Sequence, residues 1–381
     1  MERIFEVTAR DRESSARTGV LHLPRGRVET PAFMPVGTAG TVKAIEHVKL
    51  EEMGYNLILG NTYHLYLRPG MEVIRSFRGL HNFSRWSGNI LTDSGGYQVF
   101  SLAQIRKITE EGVTFQSHID GSRHLLTPEG VVEIQATLGS DIQMALDVCT
   151  GSDIPRQEAE EALEQTSRWA KRARDAWLQR RESSDYPGHL FGIVQGNFFE
   201  DLRKRSVQEI CELDLPGYAI GGLSVGENFE TFERFTAWTT PLLPDDKPRY
   251  LMGIGTPDYI FAAVEHGIDM FDCVFPTRAG RNGTLFTREG RVNLKNAKFA
   301  HDDSPPDPTI DSFGGRGYSV GYLRHLIKSQ EILGAILCTE HNLRFLAVVM
   351  EEVRAAIRNG EYAAYKASFL QRYQQGEAHK E

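Results

Sequence analysis

Asp272 stands in the run Met270-Phe271-Asp272-Cys273-Val274-Phe275, at a place where an apolar residue is expected. The run breaks at Pro276 into Thr277-Arg278-Ala279-Gly280-Arg281. A lone carboxylate in a strand-like apolar stretch is costly to bury unless it is paired or used. Arg278 and Arg281 suit an anion such as phosphate. One carboxylate beside a basic loop suggests chemistry on a nucleotide. A salt bridge from Asp272 to its own downstream arginine is the plainer alternative.

Other polar residues close other apolar runs. Asn61 follows LILG, Asp93 follows ILT, Asp147 follows IQMAL, Gln195 follows FGIV, and Gly222 follows YAIG. Taken singly, Asp93 and Asp147 read equally well as helix or turn caps, and Gln195-Gly196 as a turn. Taken together they place three carboxylates, an amide pair and exposed glycine backbone at the same end of successive strands. Two carboxylates flanking a glycosidic carbon are the minimum for retaining glycosyl transfer: one attacks, the other handles the leaving group's proton. A third carboxylate and an amide can read the face of a guanine. Tyr97 and Met252 can sandwich a flat heterocycle.

The elements that must position these residues repeat. Eight apolar runs, 31–37, 57–62, 90–95, 142–148, 189–196, 217–224, 249–256 and 270–277, each end in polar or glycine-rich residues. Near-continuous apolar runs mean strands buried on both faces, hence a parallel sheet. Amphipathic stretches separate most of them. In the clearest, 155–182, Ala159, Ala162, Leu163, Thr166, Trp169, Ala170, Ala173 and Trp177 recur at helical spacing, with both tryptophans assigned to the core. The expected fold is therefore α/β, a (β/α)8 TIM barrel with a small inserted subdomain near the C-terminus. The expected parts are a barrel over 1–299, an irregular insertion over 300–340 with helix at 319–333, and a helical segment over 341–381. A hairpin around Asp120-Gly121, near 107–127, interrupts the barrel between its third strand and the following helix.

The composition is that of a globular enzyme: 40% hydrophobic, 25% charged, net charge −8. An acidic chain does not advertise nucleic-acid binding, yet residues 271–300 hold six Lys/Arg against two Asp/Glu. Cys149, Cys211, Cys273 and Cys338 form no CxxC pair, which fits a reducing cytoplasm. The N-terminus has no signal core, and no run is expected to approach membrane-spanning length.

Along nearly its whole length the chain resembles the bacterial tRNA-guanine transglycosylase (queuine tRNA-ribosyltransferase) family. The matching stretches are TPAFMPVGTAGTVKA, LILGNTYHL, LTDSGGYQVFSL, GIVQG, GYAIGGLSVGE, YLMGIGTPD and MFDCVFPTRAGRNG. The resemblance implies exchange of guanine-34 in GUN-anticodon tRNAs for 7-aminomethyl-7-deazaguanine, without ATP, through a covalent intermediate. It implies Asp272 as nucleophile and Asp93 as general acid/base. It implies base binding by Asp93, Ser94, Gly95, Gly96, Asp147, Gln195 and the backbone of Gly222 and Leu223, with Tyr97 and Met252 stacking. Asn61 would support the ribose and the nucleophile. Cys149 and Val225 match the bacterial pattern, which favours the compact base over queuine. The loops Gly253, Ile254, Gly255, Thr256, Pro257, Asp258, Tyr259 and Thr277, Arg278, Ala279, Gly280, Arg281 would grip RNA around the flipped base. A homodimer is also implied. The competing classes are a non-catalytic RNA-binding partner subunit and a transglycosylase for queuine or another nucleic-acid acceptor. Retention of both Asp93 and Asp272 discriminates against the non-catalytic subunit.

One departure stands out. Members of the family carry a structural zinc on C-x-C-x2-C and a distant His. The corresponding positions here are Ile310, Ser312 and Gly315, with only His341 retained and Cys338 outside the pattern. A single imidazole cannot make a tetrahedral structural site. The subdomain is expected to be metal-free, with Ile310 and Phe313 forming a small apolar cluster instead.

Overall fold

All eight apolar runs form strands, and side-chain alternation within them builds the inner wall of a barrel. A computed structural model describes residues 3–102, 106–184, 186–312 and 317–378. Three antiparallel strands open the chain, β1 (Phe5–Arg10), β2 (Arg17–Leu23) and β3 (Gly26–Thr30). The barrel strands are β4 (Ala32–Pro35), β5 (Leu57–Gly60), β6 (Asn89–Thr92), β10 (Ile142–Met144), β11 (His189–Val194), β12 (Gly217–Ile220), β13 (Arg249–Leu251) and β14 (Met270–Cys273). Each pairs in parallel with its chain neighbour, β14 pairs with β4, and a Val36–Leu59 bridge closes the ring. The fold is a (β/α)8 barrel.

Its interior is filled by every second residue of each strand: Met34 and Val36, Leu57 and Leu59, Leu91, Ile142 and Met144, Phe191 and Ile193, Ala219, Tyr250, and Met270. The opening three-stranded sheet plugs the N-terminal end by adding Phe5, Leu21, Leu23 and Val28 to the same cluster. That plug is locked by Arg17, whose buried guanidinium donates to both Asp269 oxygens at 3.0 and 2.6 Å. The C-terminal end is left open for a site.

The long helix Arg156–Ser183 buries the eight residues expected from its spacing. The expected hairpin is found as two strands of a three-stranded antiparallel sheet, β7 (Arg106–Ile108), β8 (Val113–Gln116) and β9 (Arg123–Leu126). After β14 comes a two-stranded ribbon, β15 (Thr284–Thr287) and β16 (Gly290–Asn293). The helix expected at 319–333 is Val320–Lys328, started by the Ser319 side chain accepting from Tyr322 N. The next helix, Ile332–Asn359, runs unbroken through position 340 and ends at Gly360, where φ is 71°. Tyr362–Ala378 then follows as a separate helix.

Contrary to the sequence expectation, Ile332–Asn359 is long and apolar enough to cross a membrane, by length and composition. Its apolar length serves the barrel instead. In its most apolar stretch 67% is buried within the fold, and Leu343, Phe345, Leu346, Val349 and Val353 are fully covered.

Candidate active site

The alternation that fills the barrel also delivers its functional groups. One step beyond the last interior residue of a strand comes the next inward side chain: Asn61 after Leu59, Asp93 after Leu91, Gln195 after Ile193, Met252 after Tyr250, Asp272 after Met270. These residues line one cavity of about 270 Å³ together with Ser94, Tyr97, Asp147, Cys149, Gly222, Leu223 and Val225. The structure thus brings together every base-side residue expected from the sequence except Gly95 and Gly96, which lie immediately behind it. Gly96 is there for close approach: a Cβ would sit 2.8 Å from the Asp147 carbonyl oxygen.

Asp272 lines the pocket. Its Oδ1 accepts from Tyr250 Oη at 2.5 Å and from Gly253 N at 2.9 Å. The register explains the first bond. Tyr250 pairs with Met270, so its phenol shares the inward face with Asp272 and extends one residue up toward it. Among the described residues no donor reaches Oδ2. Burial pushes the Asp272 carboxyl above the ordinary carboxylate range, while Tyr250 and Gly253 pull it back toward the anion.

Asp93 is held differently. Thr62 N donates to Oδ1 at 2.8 Å, Asn61 donates to Oδ2, and Thr62 Oγ1 donates to the Asp93 carbonyl at 2.6 Å. Burial nevertheless raises the Asp93 carboxyl to about 6, with the charge of Asp272 adding to the rise. Asn61, expected to support the ribose and the nucleophile, here braces Asp93. Asp147 accepts from Ser94 Oγ at 3.0 Å and from Gln195 Nε2 at 2.8 Å, and burial raises its carboxyl as well. One Gln195 N–H is therefore committed to Asp147. Burial pushes the Cys149 thiol up to about 12, which makes it a neutral wall of the pocket.

Tyr97 is 55% exposed, and Met252 is a further lining group, partly buried. Val225 is half-buried, and its N–H is capped with that of Ser224 by the Glu227 carboxylate.

The two stretches read as RNA-gripping loops take a different form. Residues Phe275–Arg281 are a helix, in which Thr277, Ala279 and Gly280 face inward and Arg278 is exposed. Gly280 allows a helix crossing: a Cβ there would lie 2.8 Å from the Cys338 carbonyl. Pro257, Asp258 and Tyr259 begin the helix Pro257–Glu265, while Ile254 and Gly255 are buried. Thr256 takes the N-cap position of that helix without a side-chain capping bond, and Gly253 is exposed, with its N–H on Asp272. A proline at the first helical position and a short apolar repeat read as a loop in sequence because neither stretch spans more than a few turns.

The chain matches the queuine tRNA-ribosyltransferase family over residues 11–375. It is 54% identical over 370 residues to the queuine tRNA-ribosyltransferase of Pelotomaculum thermopropionicum, covering 97% of this chain and 98% of that protein. The chain belongs to the queuine tRNA-ribosyltransferase family. It is similarly close to the family members of Symbiobacterium thermophilum (50% over 376 residues, 99% and 93% covered) and Treponema denticola (51% over 371 residues, 97% of each).

The position of the family's zinc does not suit a metal in this chain. Ile310 is fully buried in the main apolar core, and Gly315 and Phe313 lie outside the described residues. His341 Nε2 donates to the Phe286 carbonyl at 2.8 Å, which leaves Nδ1 to accept from Ser312 Oγ at 3.3 Å. Burial lowers the imidazole's proton affinity, so it is neutral and both nitrogens are engaged. Cys338 packs in a separate apolar cluster with Leu323 and Leu337.

Four residues that hold the site were not singled out from sequence: Thr62, Tyr250, Arg203 and Ser206. Tyr250 had a signal, a phenol among the apolar residues of the run Tyr250-Leu251-Met252. The others lie on helices whose inward faces are visible only once packed.

Proposed function

We propose that this chain is a tRNA-guanine transglycosylase that replaces guanine-34 of GUN-anticodon tRNAs with 7-aminomethyl-7-deazaguanine. The observation that carries the reading is the pair Asp93 and Asp272, two carboxylates in one pocket held by different partners, Asn61 and Thr62 on Asp93 and Tyr250 and Gly253 on Asp272. Asp272 has its Oδ1 tied down and its Oδ2 open, the arrangement of a carboxylate nucleophile. Attack of Oδ2 on the ribose anomeric carbon breaks the bond to guanine and forms a covalent ester-like link to the RNA. Asp93 protonates the departing base and later takes a proton from the incoming one. A non-catalytic subunit has no need of both carboxylates.

Asp147 and Gln195 read the guanine edge. Tyr97 and Met252 stack on its faces once the nucleotide is flipped from the anticodon loop. Arg278 and Arg281 approach phosphate. Val225 and Cys149 limit the substituent at the seven position. No metal cofactor takes part, and the retained subdomain is held by packing. A homodimer fits the apolar surface of Ile332, Leu333 and Ile336, of which Ile332 is 76% exposed. The compartment is the cytoplasm, where the tRNA is. The test is incorporation of labelled guanine into purified tRNA by the pure protein, with candidate bases as competitors. Absence of exchange into any GUN-anticodon tRNA would refute the reading.

A further inference from the structure

Arg203 is a fully buried arginine that no carboxylate accepts from among the described residues. It sits on the helix Glu200–Cys211, directly behind the pocket wall formed by Gly221, Gly222 and Leu223. Its Nε donates to the Asn197 carbonyl at 2.6 Å. Its Nη2 donates to the carbonyls of both Gly221 and Gly222, at 3.2 and 3.1 Å. Among the described residues its Nη1 has no hydrogen-bond partner, and the guanidinium lies over the Phe235 ring, 5.9 Å from the centroid. A buried cation with an unpartnered nitrogen is costly to stability, so its retention calls for another use.

The peptide geometry supplies that use. In a trans peptide the carbonyl and the following N–H point in opposite directions. Holding the Gly221 and Gly222 carbonyls from behind turns the N–H groups of Gly222 and Leu223 the other way, toward the cavity these residues line. No acceptor is found for either N–H among the described residues. Gly222 sits at φ +66, which lets two successive N–H groups share one side, as in an anion-binding nest. The same helix supplies Ser206 Oγ, which accepts from Gln195 N at 2.9 Å. Contact is so close that a Cβ at Gly196 would lie 2.6 Å from Arg203 N.

We propose that Arg203 is a positioning residue for the purine's carbonyl oxygen: it aims the Gly222 and Leu223 N–H pair at O6 and polarises both peptides with its charge. The inference rests on the transglycosylase reading. As the bond from the anomeric carbon to N9 breaks, its electron pair enters the purine and spreads onto O6, where the N–H pair meets it. Asp93 delivers the proton that completes departure. Burial lowers the guanidinium to about 9, so it stays charged at neutral pH.

The test compares binding of guanine and of 2-aminopurine, which lacks O6, by calorimetry on the full-length protein. The parent should prefer guanine by roughly tenfold to a hundredfold. Arg203→Met should lose most of that preference, raise the KM for guanine and lower kcat, while tRNA affinity stays within about twofold. Arg203→Lys should recover part of the preference. If Arg203→Met does not fold, Arg203→Ala is assayed with and without millimolar guanidinium, which should restore guanine selectivity. A folded variant with the parent's guanine preference, or failure of both Lys and guanidinium to restore it, overturns the proposal. Failure of the parent to exchange guanine into tRNA instead defeats the functional reading and leaves the base-binding comparison intact.

Discussion

The phenolic oxygen of Tyr250 lies 2.5 Å from Asp272 Oδ1, one strand over and one inward step below it. That bond fixes which oxygen of the carboxylate is spent and which is free. It also favours the anion that a nucleophile must be.

Tyr250→Phe should lower kcat roughly tenfold to a hundredfold, the range for loss of one hydrogen bond to a charged group in a buried site. Removing a donor to the carboxylate raises its proton affinity, so the acidic limb of the pH–rate profile should move to higher pH. Asp272→Asn should abolish exchange and leave no covalent protein–RNA species on a denaturing gel. A Tyr250→Phe enzyme with the parent's limb would show that the hydroxyl does not tune Asp272.

Burial raises the Asp93 carboxyl to about 6, so in its proposed acid/base role the departure of guanine should weaken as pH rises through that value. Capture of the incoming base from the covalent complex needs the deprotonated form and should strengthen over the same interval. Single-turnover measurements of the two half-reactions should therefore show opposite slopes around pH 6, with apparent values belonging to the Asp93–Asp272 pair. Stability follows the same shift. The folded value lies above the ordinary 3.8, so the native state binds the proton more tightly, and the stability this confers is lost as pH rises through 6. Asp93→Asn escapes that loss. It should be more stable than the parent at pH 7–8 by on the order of 1–3 kcal/mol, with the gain shrinking between pH 6 and 4. Its tRNA affinity should be unchanged and its turnover nearly gone.

Arg278 is exposed on the first helix after β14, whereas Arg281 is partly buried with Nη1 unpartnered. Arg278→Ala should weaken tRNA binding and reduce the salt slope of log K by about one. Arg281→Ala should do the same or relax the preference at bases flanking guanine-34. Filter-binding titrations across a salt series decide this; an unchanged affinity, slope and loop preference in both variants would remove this helix from the RNA surface.

The barrel was legible because its signal is repeated: eight apolar runs with polar ends, and one helix with eight inward residues at regular spacing. Asp272 was legible because a carboxylate stands out in an apolar run. What stayed hidden depends on packing across the chain. The opening plug strands carry their own alternation, but their place over the barrel floor depends on Arg17 finding Asp269 252 residues away. The close packing of Phe275–Arg281, where a Cβ at Gly280 would lie 2.8 Å from the Cys338 carbonyl, is likewise set by a distant part of the chain. Asn61 could be placed in the pocket by its strand end. Which carboxylate it braces is a matter of a rotamer, and spacing does not encode it.

Val225 lines both the base pocket and a larger neighbouring cavity of about 710 Å³. Removing its side chain should join the two. Val225→Gly should raise kcat/KM for queuine relative to 7-aminomethyl-7-deazaguanine, with the gain confined to the bulky base because what is relieved is a clash. Val225→Gly removes three carbons, and relief of even part of that volume corresponds to roughly tenfold or more. An unchanged ratio of specificity constants would assign the limit to another wall, with Cys149 the next to test.

His341 reads as a strut. Its two nitrogens join the Phe286 carbonyl on the ribbon to Ser312 in the insertion, and Ile310 fills the space beside them with apolar contact. A structural zinc would supply folding free energy that a chelator withdraws. Here the linkage is a neutral hydrogen-bonded chain, so elemental analysis of the purified protein should find no stoichiometric zinc, and a strong chelator should leave activity and Tm unmoved. Ser312→Ala removes one of two bonds to a buried imidazole and should cost about 1 kcal/mol. His341→Leu leaves the Phe286 carbonyl without its donor and should cost about 1–3 kcal/mol. Both losses should be independent of added zinc. One tightly bound zinc per chain, removed together with stability by the chelator, would overturn this account and require thiolate or imidazole ligands at positions other than 310, 312 and 315.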